Sequence, residues 1–151
     1  KLYLAVISPP SSKNEQYIIS NIGKSSFSNV RKMTTSDVRG KFAKTYMKTL
    51  VKNSKYALVL LYPITGRTHQ LRVHMNYIGC SIIGDKKYKL NEKFKDNENF
   101  LKLHSYIIKF PKENSIKAPL PKHFIDFMNE NKLDIDLEKV EKNFKKEFEY
   151  E

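Results

Sequence analysis

The sequence has a single cysteine, Cys80, among its 151 residues. One cysteine excludes an intramolecular disulfide and a zinc site built from cysteine ligands. No run of apolar residues approaches the ~18 that a membrane-spanning helix needs, and no segment repeats another. The few glycines do not have the spacing of a phosphate-binding loop. Together with the length, these absences predict a single domain or part of one.

Acidic residues are few compared with basic ones, at 16 against 28, which gives a formal net charge of +12. Arginine is scarce among the basic residues, and most of the charge comes from lysine. Lysine suits a diffuse field better than two-pronged recognition. An excess this large favours a polyanion as partner, with RNA or DNA ahead of a membrane surface. The alternative is a compositional bias toward lysine and asparagine.

Short β-prone runs occur at residues 2–7, 42–51, 56–62 and 101–110. The middle two are separated by a polar segment, residues 52–55, and so predict a β-hairpin. The segment 8–41 is rich in serine, asparagine and lysine, which predicts a long surface excursion with one short strand at residues 17–19. Several strands with few helices between them predict an α+β fold, a largely antiparallel mixed sheet flanked by helices.

Three segments have the apolar spacing of helices. The first begins at Thr68 and ends before Gly79, and its apolar face consists of Leu71, Met75 and Ile78. The second begins near Pro121, and its apolar face consists of Phe124, Phe127 and Met128. The third is the charged tail, whose apolar stripe consists of Leu137, Val140, Phe144 and Phe148.

Large polar side chains are concentrated in the segment 63–88, which follows a hydrophobic run. Its first half contains Arg67, His69, Gln70, Arg72 and His74. So many large polar groups are costly to bury because each needs its own partner, and the segment therefore predicts a functional site. Its sequence, PITGRTHQLRVHMNYIGCSIIGDKKY, resembles the C-terminal signature of the RluA-type RNA pseudouridine synthases. That signature is close to P-x-T-G-R-x-H-Q-[IL]-R-V-H, followed by I-G and G-D-x-x-Y.

The resemblance implies a catalytic role for Arg72. In the family, the arginine of H-Q-[IL]-R pairs with the catalytic aspartate, and Arg72 stands at that position. A guanidinium at the edge of an apolar helix face is suited to hold a carboxylate through two hydrogen bonds. The alternative is an ordinary surface arginine. The residues expected to bind the RNA substrate are Arg67, His69, Gln70, Lys86 and Lys87.

Two further motifs carry the same resemblance. The start of the chain, KLYLAV, resembles the K-x-Y-x-A motif, whose tyrosine stacks on the target base and handles its C5 proton. Tyr3 offers a flat face and a hydroxyl for both tasks, although a lone strand tyrosine is more often a core residue. LKLHS resembles the L-H-A strand, so Leu103 is expected to contact the base. The resemblance makes residues 1–124 part of the catalytic domain and residues 125–151 a helical extension packed on it.

The family's nucleophilic aspartate is missing from its expected context. The family carries it in an R-L-D-x-x-[ST]-G motif before K-x-Y, and no aspartate here has that context. Asp85 resembles the G-D turn, a structural position. The resemblance therefore implies an incomplete catalytic domain that needs an upstream segment of the same protein as its partner, and it predicts no catalysis by residues 1–151 alone. The family reaction uses no cofactor and no metal, and its substrate is a uridine in ribosomal or transfer RNA.

Three alternatives remain open. A zinc site could use His69, His74 and His104, but the first two are five residues apart and helical metal ligands are usually four apart. Cys80 could be a nucleophile beside a histidine, although its apolar neighbours favour a buried, inert thiol. A non-catalytic RNA-binding module on a degenerate synthase fold would follow phosphates with its lysines and stack a base on a tyrosine.

Overall fold

The computed structural model describes residues 1–25, 33–35, 39–90, 96–112 and 114–148, with side chains of the last helix described as far as residue 144. The strands in these residues are β1 (Leu2–Ser8), β2 (Glu15–Lys24), β3 (Met33–Thr35), β4 (Lys41–Lys52), β5 (Ala57–Pro63), β6 (Ser81–Ile82), β7 (Leu103–Ile108) and β8 (Ile116–Lys117). The helices are α1 (Gln70–Tyr77), α2 (Lys122–Glu130) and α3 (Leu137–Phe148). None of these helices combines the length and the apolar composition that crossing a membrane requires.

Strand β1 lies in the middle of the sheet and is buried on both faces. The order along the sheet is β3-β2-β4-β5-β1-β7-β8, and β6 pairs with the end of β1. Leu4 and Val6 join the core cluster that contains α2, whereas Ala5 and Ile7 join the cluster that contains α1. None of the four exposes any surface. A short, continuous apolar run is what a strand covered on both faces requires.

The predicted α+β fold with a largely antiparallel sheet flanked by helices is confirmed, since all pairs between the described strands are antiparallel. Strands β4 and β5 form the predicted hairpin. The helix predicted from Thr68 begins at Gln70, and Leu71 and Met75 pack into the core as expected. Gly79 follows the helix with a φ of 85°, a conformation that favours glycine.

Where the structure describes residues 8–41, the short strand predicted at residues 17–19 is confirmed as part of a longer strand, and the surface excursion predicted around it is wrong. Strand β2 has ten residues and pairs with β4 over most of its length, and β3 pairs with the end of β2. The sequence of β2 lacks the usual alternation of apolar and polar residues. Tyr17 and Ile19 are exposed, whereas Ser20 faces inward and hydrogen-bonds with His74 at 3.0 Å. Parts of the segment, residues 26–32 and 36–38, lie outside the described residues.

Helices α2 and α3 cover the face of the sheet opposite α1. The buried side chains of α2 are Phe124, Phe127 and Met128, as predicted. Helix α3 adds the partly buried Leu137, Val140 and Phe144 to the same cluster, and the side chain of Phe148 lies outside the described residues. The expected boundary between residues 1–124 and 125–151 falls inside α2, and this division stays a prediction.

We expect Phe124→Ala to destabilise the protein strongly. Phe124 has no exposed surface, and removal of a buried phenyl group lowers the free energy of unfolding by about 3–5 kcal/mol. Ile125→Ala is the control on the same helix, because Ile125 is 41% exposed. Urea denaturation measures both changes. Equal losses of stability in the two variants would contradict the packing of α2 on the sheet.

Candidate active site

A cavity of about 660 Å³ opens between strands β1 and β7 and the turn that precedes α1. Leu103 of β7 lies opposite Ala5 of β1. Tyr3 projects from the same face as Ala5, because side chains alternate along a strand. Most of the residues predicted for the site meet here, and the lining includes Tyr3, Leu103, Arg67, His69, Gln70 and Arg72.

Gln70 holds the turn before α1 against strand β4. Its Oε1 accepts hydrogen bonds from the Thr65 hydroxyl at 2.6 Å and the Arg67 backbone N–H at 3.0 Å. Its Nε2 donates to the Lys44 carbonyl at 3.0 Å and to Thr45 Oγ1 at 2.9 Å. The side chain is 3% exposed. Its amide is therefore engaged within the protein, and Gln70 shapes the cavity wall instead of offering a polar group to a substrate.

His69 begins the helix in an unusual way. Its backbone is left-handed, with φ of 54°, and its side chain does not cap the helix. Histidine is one of the non-glycine residues enriched in that region. The ring instead reaches Tyr88, whose hydroxyl lies 2.7 Å from Nδ1, and the two rings meet edge to face at 5.4 Å. His69 thus joins the start of α1 to the segment that follows Asp85.

Arg72 forms a two-pronged ion pair with Asp85. Nε donates to Oδ2 at 2.8 Å and Nη2 donates to Oδ1 at 2.7 Å. The Asp85 side chain is 1% exposed and that of Arg72 is 20% exposed, so the carboxylate is buried behind the arginine. Asp85 Oδ1 also accepts the backbone N–H groups of Lys87 and Tyr88, and the Tyr88 ring centre lies 4.7 Å from the guanidinium carbon. The guanidinium is therefore fixed on one edge and on one face.

Both members of this pair are held in their charged forms. Burial raises the pKa of Asp85, but the hydrogen bonds from Arg72 and from the Tyr88 backbone outweigh it and leave the pKa below its usual value. The hydrogen bond to Asp85 raises the pKa of Arg72. The pair is consequently ionised at neutral pH, with a net charge of zero.

The contacts of Asp85 and Tyr88 with Arg72 are what the sequence does not predict. The sequence predicts a turn position for Asp85 and, in the RNA-binding alternative, base stacking by Tyr88 or Tyr77. Tyr88 is 2% exposed, so its ring is not open to a base. The turn itself is real, because Asp85 accepts the Tyr88 N–H at 2.9 Å. The spacing of three between them is the signal for such a turn, but the pairing of Asp85 with Arg72 depends on how α1 and the turn are packed.

Lys86 and Lys87, predicted to bind RNA, do not line the cavity. Lys86 is exposed and Lys87 is half-buried in the turn after Asp85. The lining of the cavity instead includes Lys1 and Leu101, which the sequence does not single out. Lys1 and Arg67 line the cavity, so these basic residues are placed to contact a nucleotide inside it.

The histidines and the cysteine have structural surroundings. His74 is fully buried between Thr45 and Ser20, with hydrogen bonds of 2.8 and 3.0 Å, and burial lowers its pKa to about 4. His104 hydrogen-bonds with the Ala118 carbonyl. Burial raises the pKa of Cys80 to about 11, so the thiol is protonated and unsuited to nucleophilic attack. No metal-binding group of three or more His, Cys, Asp or Glu occurs in the described part of the chain.

We expect Asp85→Asn to lower the free energy of unfolding at neutral pH by about 1.5–3 kcal/mol, the usual range for hydrogen bonds to a charged group. Because folding lowers the pKa of Asp85, its contribution is present above the unfolded pKa of ~3.9 and is lost as the pH falls through the lowered value. The difference from wild type in urea denaturation should therefore shrink in acid. Asp126→Asn, which removes an exposed pair with Lys122, should change little. A difference that persists unchanged into acid would exclude the ion pair as its cause.

Relatives of known sequence place the chain in a family. The family model described as RNA pseudouridylate synthase matches residues 1–77. The ribosomal large subunit pseudouridine synthase C of Rickettsia bellii is 38% identical over 130 residues, which are 82% of this chain and 43% of that protein. The ribosomal large subunit pseudouridine synthase D of Borreliella burgdorferi is 40% identical over 106 residues, which are 67% of this chain and 32% of that protein.

A solved structure has the same fold. Human RNA pseudouridylate synthase domain containing 1 matches with a TM-score of 0.70 at 28% sequence identity, over 82% of this chain and 55% of that chain. The chain spans less than half the length of the two bacterial relatives. By its family model, its sequence identities and its fold, the chain belongs to the RluA-type RNA pseudouridine synthase family, as its signature predicted.

Proposed function

We propose that the complete protein containing this chain is an RNA pseudouridine synthase that isomerises selected uridines in ribosomal or transfer RNA. The observation that carries the proposal is the position of Arg72, which Asp85 fixes at the wall of a cavity bordered by Tyr3 and Leu103. The two bacterial relatives are named as synthases of the ribosomal large subunit, and this favours ribosomal RNA as the substrate.

The reaction has simple requirements. The bond between ribose C1′ and uracil N1 breaks, a bond from C1′ to C5 forms, C5 loses its proton to solvent and N1 gains one, so that the product is an isomer of uridine. The uridine has to leave its stack, because the reacting atoms are inaccessible inside it. A cavity of about 660 Å³ is within the ~300–1,000 Å³ of small-molecule sites, which supports the binding of one flipped nucleotide. By the family resemblance, an aspartate attacks the nucleotide and neither a metal nor a cofactor takes part.

In this proposal Arg72 positions the aspartate. Asp85 occupies Nε and Nη2, so Nη1 is the guanidinium nitrogen that has no hydrogen-bond partner among the described residues. Because Arg72 also lines the cavity, a carboxylate that reaches Nη1 is held beside the bound nucleotide. Donors that are oriented before the reaction begins need no reorganisation in the transition state, and Asp85 and Tyr88 supply that orientation.

Tyr3 and Leu103 form the part of the cavity that receives the base. Tyr3 is half-buried and packs at the edge of the α1 cluster, as does Leu103. A ring supported from behind by a sheet is a rigid platform for stacking, and its hydroxyl can accept or donate a proton. Leu103 gives the base an apolar contact. Arg67 and His69, on the turn before α1, border the same cavity and contact the ribose and its phosphate.

The nucleophilic aspartate is assigned to sequence outside this chain. None of the aspartates that the structure describes lines the cavity. Asp85 and Asp126 are in ion pairs, and Asp96 and Asp136 accept hydrogen bonds from backbone N–H groups. Asp37 lies outside the described residues. Residues 125–151, which contain the rest of α2 and all of α3, are assigned to a helical extension of the same catalytic domain.

Release of tritium from RNA that carries 5-tritiated uridine tests the activity and the role of Arg72. The complete protein, with any sequence that precedes Lys1, should release tritium, and Arg72→Ala should slow release by at least about a hundredfold. Arg72→Lys should rescue little of this loss, because an ammonium does not reproduce the planar fork of donors. Lys139→Ala, an exposed change on α3, is the control and should retain full release.

The outcomes separate two functions. If the complete protein releases no tritium from ribosomal or transfer RNA but still binds RNA, the protein is a non-catalytic RNA-binding module on a synthase fold. Release by residues 1–151 alone would overturn the assignment of the nucleophile to sequence outside them. Full activity of Arg72→Ala would remove Arg72 from the mechanism.

Substitutions of Tyr3 should divide stacking from proton transfer. Tyr3→Phe keeps the ring, so KM should change little, whereas kcat should fall by the ~10²–10⁴-fold that a positioned acid or base contributes. Tyr3→Ala should also raise KM, because base stacking contributes about 1–3 kcal/mol. Steady-state tritium release over a range of RNA concentrations measures both constants. Wild-type kcat in Tyr3→Phe would limit Tyr3 to stacking.

A further inference from the structure

A second cavity adjoins the first. It has a volume of about 670 Å³ and lies where the end of β2, the start of β4 and the turn before α1 come together. Gly66 and Arg67 line both cavities. The turn that carries them is therefore a wall of both cavities, and a chain that leaves the first cavity over this turn meets the second.

Among the residues that the structure describes, the charged ones that line this second cavity are basic, and they are Lys24, Arg39, Lys41 and Arg67. The chain as a whole has 16 acidic residues against 28 basic ones, so four basic residues and no carboxylate among the described residues of the lining is a more basic set than the chain average. A cavity of about 510 Å³ elsewhere on the protein has both Asp96 and Glu98 in its lining. The described lining of the cavity beside the candidate active site is thus more basic than that of this other cavity.

The strand register produces this arrangement. Strands β2 and β4 are antiparallel, and Ile22 near the end of β2 pairs with Lys41 at the start of β4. Lys24 follows two residues later and is exposed. Gly23 lies between them, where a Cβ atom would come within 3.2 Å of the Arg39 carbonyl oxygen. The absence of a side chain at residue 23 lets the chain at residues 39–40 pass closely, and this brings basic residues from two directions to one groove.

Arg67 is held at the junction of the two cavities. Its Nε donates to the Phe42 carbonyl of β4 at 2.8 Å, and its backbone N–H donates to Gln70. These two contacts fix the side chain along the start of β4, next to Lys41. Its terminal nitrogens are therefore placed where a phosphate between the two cavities would meet a fixed guanidinium.

We propose that the second cavity binds the phosphodiester backbone of the single-stranded RNA segment next to the target uridine. The inference rests on the proposed function for the identity of the polyanion. One nucleotide occupies the first cavity, Arg67 contacts the phosphate at the junction, and Lys24 and Lys41 contact the phosphates that follow. Lysines carry little sequence information, so the groove supplies affinity and direction and leaves the choice of uridine to other contacts.

This placement of RNA differs from the one that the sequence predicts. The sequence predicts RNA contacts at Lys86 and Lys87, but these residues line neither cavity. Lys86 and Lys87 carry the same total charge as Lys24 and Lys41, but only Lys24 and Lys41 line the second cavity. The two pairs therefore form a matched comparison, because replacing either one with alanine removes two positive charges from the surface.

The test measures the binding of a fluorescein-labelled oligouridine of about ten nucleotides, within the site size of single-strand binders, by fluorescence anisotropy in the complete protein. The double variant Lys24→Ala/Lys41→Ala should weaken binding at least about tenfold. The slope of log K against log salt should become shallower by about 1.4, which corresponds to two phosphate contacts on a single strand. Lys86→Ala/Lys87→Ala should change the affinity less than about twofold. Urea denaturation of each variant verifies that the fold is retained.

Every other result overturns the proposal. Equal weakening by the two double variants means a diffuse lysine field without a groove. Weakening by Lys86→Ala/Lys87→Ala alone means that RNA crosses the turn after Asp85, and weakening by neither means that RNA binds elsewhere. Tritium release is a separate readout, so a protein that fails to release tritium but shows the predicted difference in binding retains the groove and loses only the catalytic proposal.

Discussion

The candidate site depends on the ion pair between Arg72 and Asp85. A carboxylate that is 1% exposed is stable as an anion only when donors surround it, and here two guanidinium nitrogens and two backbone N–H groups do so. The same contacts fix the arginine. Helix α1 supplies Arg72 and the turn after β6 supplies Asp85, so the position of the guanidinium is set by how these two elements pack on the sheet.

That packing is determined by strand β1, which is apolar on both faces. Ala5 and Ile7 form one cluster with Leu71 and Met75 of α1, and β6 pairs directly with the end of β1. Both elements that carry the ion pair are thus attached to the same central strand. Tyr3 is at the other end of that strand, where it borders the cavity. A single buried strand therefore positions the arginine, its carboxylate partner and the aromatic wall together.

The sequence predicts the parts of this structure that have regular patterns. The hairpin of β4 and β5 and the helix α1 have clear apolar spacing, whereas β2 exposes Tyr17 and Ile19 and so lacks it. A dense run of polar residues indicates a candidate site, and several of them line one cavity, but the run does not separate the residues that face the cavity from those that support it. Gln70 and His74 are buried and hydrogen-bonded within the protein. That distinction depends on long-range contacts, and so does the partner of Arg72.

The charge of the pair constrains how the site can act. Because Asp85 already neutralises Arg72, the guanidinium offers a directed N–H donor to a second carboxylate. It does not offer that carboxylate a net positive charge. Attraction for the nucleophile and for the phosphates must then come from other basic groups at the cavity, and Lys1 and Arg67 are those in its lining. Their field acts across a partly desolvated space, where it is screened less than at an open surface. In the proposed function, Arg72 orients an anion that Lys1 and Arg67 attract, so orientation and charge come from different residues.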